Sequence, residues 1–184
     1  MIIIDIDFDI ALNEARKRAT TMIENGLYSR FHLSNAQRID KALLGCLGEI
    51  AFEHYLKSKN IDYKLDETDF TIVNSDQYDF LINNKKIDIK VAKKSTSRPP
   101  TDGWTYGYPQ EQNPSTKDFV IVGWIDFNRK EIGFYGWIKG VEVSKYAVVT
   151  HNTFAGYKYL TPNHEFRWGA MNKDFENLFT LIKG

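Results

Sequence analysis

The sequence predicts an α/β fold, a central mixed β-sheet flanked by helices. Three stretches carry that expectation. One hairpin turns at Asn83-Asn84, a second turns at Asp126 to Arg129, and an amphipathic helix opens at Ser34 with the spacing of a capping box. At 184 residues and 42% hydrophobic content, the chain suits one core, and residues 1–184 are read as a single domain.

From Ile2 to Ile10 apolar residues alternate with Asp5, Asp7 and Asp9, which predicts a short half-buried strand; Asp9 could instead cap a following helix. Asn13 to Asn25 is helical by composition and is stopped by Gly26. Its Arg16-Lys17-Arg18 run reads first as a solvated face, with phosphate contact by these residues, Arg30 and Arg38 as the alternative.

In the next helix Ser34 is the N-cap and Gln37 reaches back to it. Ile39, Ala42, Leu43, Cys46, Leu47 and Ile50 form its buried stripe. Gly45, Gly48 and Ala51 fit a helix packed closely on another backbone. Glu49 lies at the edge of the stripe and Glu53 nearer its middle, so helical geometry nominates either one for a site.

Asp62 to Val73 is expected to hold a loop and a strand around Phe70-Thr-Ile-Val. Then comes the most informative stretch, Tyr78 to Lys94. Asn tolerates the positive φ of a tight turn, so Asn83-Asn84 sets a register of Ile82 with Lys85, Phe80 with Ile87 and Asp79 with Asp88. Alternation puts Ile87, Ile89 and Val91 on one face, and Asp88 and Lys90 on the other. Beyond it, Lys93, Lys94 and Arg98 precede a loop bearing Trp104, Tyr106 and Tyr108. Basic residues followed by aromatics suit phosphate contact and base stacking, while an aromatic-pinned surface loop is the plainer alternative.

Phe119 to Ile125 is apolar on both faces, as a covered central strand is, and pairs with Ile132 to Ile138. Val141 to Val149 fits helix or strand. Asn172 to Ile182 is a short amphipathic helix with Phe175, Leu178, Phe179 and Ile182 inward. Trp124, Trp137 and Trp168 read as core, and His151 and His164 as residues of polar loops without a role.

Composition removes several classes. No apolar run is long enough to cross a bilayer, and Met1-Ile-Ile-Ile leads into aspartates rather than a signal peptide. One cysteine and four histidines make a disulfide framework or a structural zinc site unexpected, and suit a cytoplasmic protein. A formal net charge of zero argues against non-specific coating of nucleic acid.

Two carboxylates facing each other on a hairpin repel unless a cation joins them. With Lys90 beside them, Asp79 and Asp88 suit phosphodiester hydrolysis: hard oxygens hold Mg²⁺ or Mn²⁺, and the ammonium positions water or shares phosphate charge. The plainer alternative is an exposed hairpin face.

The ordered set Gly45-Xaa-Xaa-Gly48-Glu49, Tyr78-Asp79-Phe80 and Ile87-Asp88-Ile89-Lys90 resembles the PD-(D/E)xK nuclease superfamily, the restriction-endonuclease-like fold. The resemblance spans roughly residues 36–92, with Tyr78 where the motif often has proline. It implies Asp79, Asp88 and Glu49 as metal ligands and Glu49, Asp79, Asp88 and Lys90 as the catalytic set. The implied partner is nucleic acid, DNA before RNA, with a homodimer compatible. A catalytically inactive DNA-binding or structural protein of the same fold is the alternative. A weaker likeness joins Asp5-Ile6-Asp7 to the first motif of haloacid-dehalogenase-type phosphatases, which would make Asp5 the nucleophile and Asp7 the acid/base. Phe8-Asp9 stands where that family has Gly-Thr or a similar pair.

Overall fold

The computed structural model describes residues 1–26, 34–66 and 78–183. In chain order these form β1 (Ile2–Ile3), α1 (Phe8–Glu24), α2 (Asn35–Ser58), β2 (Lys64–Leu65), β3 (Phe80–Ile82), β4 (Lys85–Lys93) and β5 (Thr105–Pro109). They continue with β6 (Phe119–Asp126), β7 (Glu131–Lys139), α3 (Gly140–Val143), β8 (Val148–His151), β9 (Lys158–Arg167) and α4 (Phe175–Lys183). A six-stranded mixed sheet runs β1-β7-β6-β4-β3-β2, and a three-stranded antiparallel sheet runs β5-β9-β8. Among the described residues only the β4–β6 pair is parallel.

Two cores divide the large sheet by face. Ile87, Ile89 and Ile121 pack with Phe8, Leu47, Phe52, Leu178 and other residues of α1, α2 and α4. Val120, Val122 and Trp124 pack on the opposite face with Tyr108 and Phe166 of the small sheet. The layers are therefore α1, α2 and α4, then the mixed sheet, then the small sheet with the short helix α3. Nothing in Lys158 to Arg167 marks a strand: Pro162, Asn163 and His164 interrupt any alternation.

β6 is buried along its whole length, as its two-faced hydrophobicity predicts. Ser34 and Gln37 form the capping box of α2. Gly48 explains its own place in that helix: a Cβ there would lie 2.8 Å from Val91 Cγ1, so α2 sits directly on β4. Gly45 has open space around it and no such reason. In α4, Phe175, Leu178, Phe179 and Ile182 are buried, and so are Trp124, Trp137 and Trp168.

The N-terminal alternation is corrected. Only Ile2–Ile3 pairs as a strand, and α1 begins at Phe8 because Asp7 Oδ1 accepts the N–H groups of Asp9 and Ile10. Val141 to Val149 holds both structures, the end of α3 and the start of β8. His151 and His164 lie on strands, and His164 is buried with Nδ1 2.9 Å from the Tyr146 carbonyl. The expected strand at Phe70 to Val73 and the cation Arg30 lie outside the described residues.

Candidate active site

The β3–β4 turn has φ of 47° at Asn83 and 62° at Asn84, the left-handed pair that a tight hairpin needs. Its register is Ile82 with Lys85 and Phe80 with Ile87, as the spacing predicts. Asp79 leaves that ladder. Its N–H donates to the Ile87 carbonyl at 2.9 Å, and its Oδ2 accepts the Ile89 N–H at 2.6 Å. The carboxylate thus takes the place of a backbone acceptor beside β4, and Asp79 is not the ladder partner of Asp88.

Asp88 and Lys90 share the face of β4 that the small sheet covers. Asp88 is only 5% exposed. Its Oδ1 accepts from Lys90 Nζ at 2.8 Å, while its Oδ2 is buried and has no hydrogen-bond partner. Lys90 Nζ stands 5.5 Å from the centre of the Tyr108 ring, and the buried Tyr108 hydroxyl lies beside the Asp88 carboxylate, outside good hydrogen-bond geometry. Sequence patterning offers Tyr108 only as a loop aromatic for base stacking, and it does not predict Lys117, a buried cation whose charge also acts on Asp79.

These charges set one another's protonation. Burial, then the Asp88 charge, pushes the Asp79 carboxyl up to about 7, against the opposing pull of Lys90, the Ile89 N–H and Lys117. Burial works against the Lys90 ammonium, yet Asp88 and Asp79 hold its pKa well above the ordinary lysine value. Lys90 is therefore a fixed cation at neutral pH. Burial pushes the Tyr106 hydroxyl up to about 12 and raises that of Tyr108, so both stay protonated.

On the helix side, Asp79 opens onto a cavity of about 460 Å³, lined also by Glu49, Cys46, Tyr78 and the basic pair Lys17 and Arg18. Glu49 is half-buried on α2 and lines this same cavity. The spare glutamate, Glu53, has structural partners: Tyr63 at 2.6 Å, Lys57 at 2.8 Å and Arg18 at 3.6 Å. Burial would raise its pKa, but the bonds from Lys57 and Tyr63 outweigh that and lower it. Burial pushes the Cys46 thiol up to about 12, which makes it a poor ligand. Asp79, Asp88 and Lys90 are brought together and Glu49 shares the cavity of Asp79, yet among the described residues no three acidic, His or Cys side chains gather as a ready cation cage.

The expected phosphate contacts divide. Lys93 is exposed, with Nζ 5.4 Å from the Phe127 ring centre, and Arg98 is exposed in the loop after β4. Lys94 is not a surface residue. Its side chain is 2% exposed and pairs with Asp126 Oδ2 at 2.5 Å, while Asp126 Oδ1 accepts the N–H groups of Asn128 and Arg129. Lys94 therefore ties the end of β4 to the β6–β7 turn. Trp104, Tyr106 and Tyr108 likewise belong to the second core, and the alternation Tyr106-Gly107-Tyr108 is a strand of the small sheet. Asp7, the acid/base of the phosphatase alternative, serves as a helix cap.

Among the described residues no helix is long and apolar enough to cross a membrane. Comparison of this chain with protein-family models, with curated proteins and with solved structures finds no match.

Proposed function

We propose that this chain is a metal-dependent nuclease of the PD-(D/E)xK type, hydrolysing phosphodiester bonds in DNA with Mg²⁺ or Mn²⁺. The observation that carries the proposal is Asp88, a buried carboxylate with only the Tyr108 hydroxyl beside its second oxygen, next to a second acid whose proton affinity it raises. Two such acids so close together favour a shared proton or a cation. Mg²⁺ is commonly held by one or two carboxylates with water and phosphate completing its shell, so this hard-oxygen pair fits it without a third protein ligand. When bound, the ion supplies a water of lowered pKa and neutralises charge developing on the phosphate.

The chain's own residues do the rest. The Ile89 N–H fixes Asp79, Lys90 remains charged and orients the attacking water or shares phosphate charge, and Glu49 completes or orients the site from α2. Lys93 and Arg98 hold the substrate backbone beyond β4. The restriction-endonuclease-like fold belongs to the same proposal. It is supported by a mixed sheet whose hairpin strand β4 pairs in parallel with β6, and by the Gly48–Val91 contact that seats the Glu49 helix on that strand. A cytoplasmic location accords with the single, buried thiol.

One observation favours the second reading, a non-catalytic DNA-binding or structural protein. Lys90 is already neutralised by Asp88 and covered by Tyr108. Incubating the protein with linear, nicked, single-stranded and branched DNA, with Mg²⁺, Mn²⁺ or chelator, separates the two. Chelator-sensitive cleavage supports the nuclease; binding without cleavage supports the alternative.

A further inference from the structure

The β8–β9 hairpin carries large side chains into solvent at its tip. Phe154 is 74% exposed, and Tyr157 is exposed beside it. The turn that presents them is held from beneath by Asn152, a buried residue. Asn152 Nδ2 donates to Thr105 Oγ1 at 2.9 Å and Tyr159 Oη at 2.8 Å, while its Oδ1 accepts the Phe154 and Ala155 N–H groups. Glu165 accepts the Thr153 N–H at 3.0 Å, and the Asn152 N–H donates to the Tyr157 carbonyl at 2.8 Å. Gly156 supplies the positive φ of 74° that closes the turn. A loop fixed this firmly does not display two uncovered rings for its own stability; exposed aromatics on a rigid scaffold are the form of a binding site.

Charge and position indicate the occupant. Lys158 is exposed and faces His151 across the base of the hairpin, so a cation stands beside the rings. Tyr157 meets Tyr159 edge-on at 5.4 Å, and the Tyr159 ring lies over Gly107 on β5, the strand that brings Tyr108 to Lys90. Tyr157 also lies within electrostatic reach of Tyr106, which is in turn within reach of Lys90 and Asp88. Aromatic faces next to a cation, on the small sheet whose strand β5 packs Tyr108 against Lys90, match the alternation of base and phosphate along a single strand.

We propose that Phe154 and Tyr157 stack on unpaired nucleobases of single-stranded or frayed nucleic acid whose backbone reaches the Asp79–Asp88 site. Lys158 takes a phosphate between those bases. The proposal rests on the nuclease reading and adds a substrate class to it.

The test is fluorescence anisotropy of a labelled single-stranded oligonucleotide with the full chain in non-catalytic Ca²⁺. Phe154→Ala and Tyr157→Ala should each weaken binding about tenfold, the scale of one missing base–aromatic stack. Phe154→Trp should restore it, and the alanine variants should match wild type on an oligonucleotide abasic throughout. Both positions are exposed, so their melting temperatures should not move. Unchanged affinity overturns the proposal, and so does an equal loss on the abasic strand. Val148 and Leu160 are also exposed on this hairpin. Sedimentation that turns a wild-type dimer into a Phe154→Ala monomer, with DNA affinity unchanged, would assign the surface to a second copy instead. Wild-type protein that neither binds nor cleaves any nucleic acid would end the nuclease reading as well. Wild-type cleavage with indifferent variants ends only this inference.

Discussion

Asp79 Oδ2 accepts the backbone N–H of Ile89 at 2.6 Å, so an acid beyond the end of β3 stands where a further rung of the β3–β4 ladder would be. That bond holds a half-buried carboxylate next to Asp88, and the consequences for protonation can be measured.

Stability in chelator should fall as pH rises from about 4 to about 7. Asp79 titrates near 3.8 when unfolded and at about 7 when folded, so across that window the folded state binds more protons than the unfolded one. Ionisation therefore costs the fold up to about 4 kcal/mol, reached above pH 7. Asp79→Asn keeps an oxygen for the Ile89 N–H and removes the charge. Urea melts of this variant should lack that part of the slope and show higher stability than wild type at pH 8.

Divalent-cation affinity should move the opposite way with pH. The ion must displace the proton on Asp79, so calorimetric titration with Mn²⁺ should show binding that strengthens between pH 6 and 8 and releases protons. Affinity that is flat across this range would remove Asp79 from the ligand set.

Asp88→Asn should lower the melting temperature, even though it relieves repulsion with Asp79. Lys90 would be left as a largely buried ammonium without its partner, a loss on the order of 3 kcal/mol. Pairing the change with Lys90→Met should recover much of the loss, and a double-mutant cycle on urea midpoints measures the coupling.

Lys94→Ala should destabilise by about 3–5 kcal/mol, because Asp126 would remain buried without its cation. Lys93→Ala with Arg98→Ala should leave the melting temperature in place. That pair should weaken DNA binding in Ca²⁺ and flatten its salt dependence by about one unit for each phosphate no longer neutralised. A Lys94 change that is thermally silent would contradict the buried pair.

The parts of this structure legible in the sequence are those with local causes. Asn83-Asn84 sets the register of its hairpin, Ser34 and Gln37 set the start of α2, and the apolar run of Phe119 to Ile125 marks a covered strand. The rest depends on partners distant in the chain. Asp79 turns out of the ladder to meet Ile89, and Lys94 is buried because Asp126 stands 32 residues on. The small sheet needs β5 and β9, which pair across more than fifty residues of sequence and so leave no local pattern. Tyr108 and Lys117 reach the site by that same long-range packing.

The central claim is that Asp79 and Asp88 hold a cation for cleavage, and Asp79→Asn tests it most directly because stability and activity should part. The measurement is the rate of DNA cleavage by wild type and variant in Mg²⁺, with chelator as control, at pH 8. The expected result is chelator-sensitive cleavage by wild type and a loss of at least a hundredfold in a variant that melts higher, comparable to the ~10²–10³-fold that removing one transition-state donor costs. Cleavage by Asp79→Asn at the wild-type rate, or cleavage by wild type that persists in chelator, would contradict it.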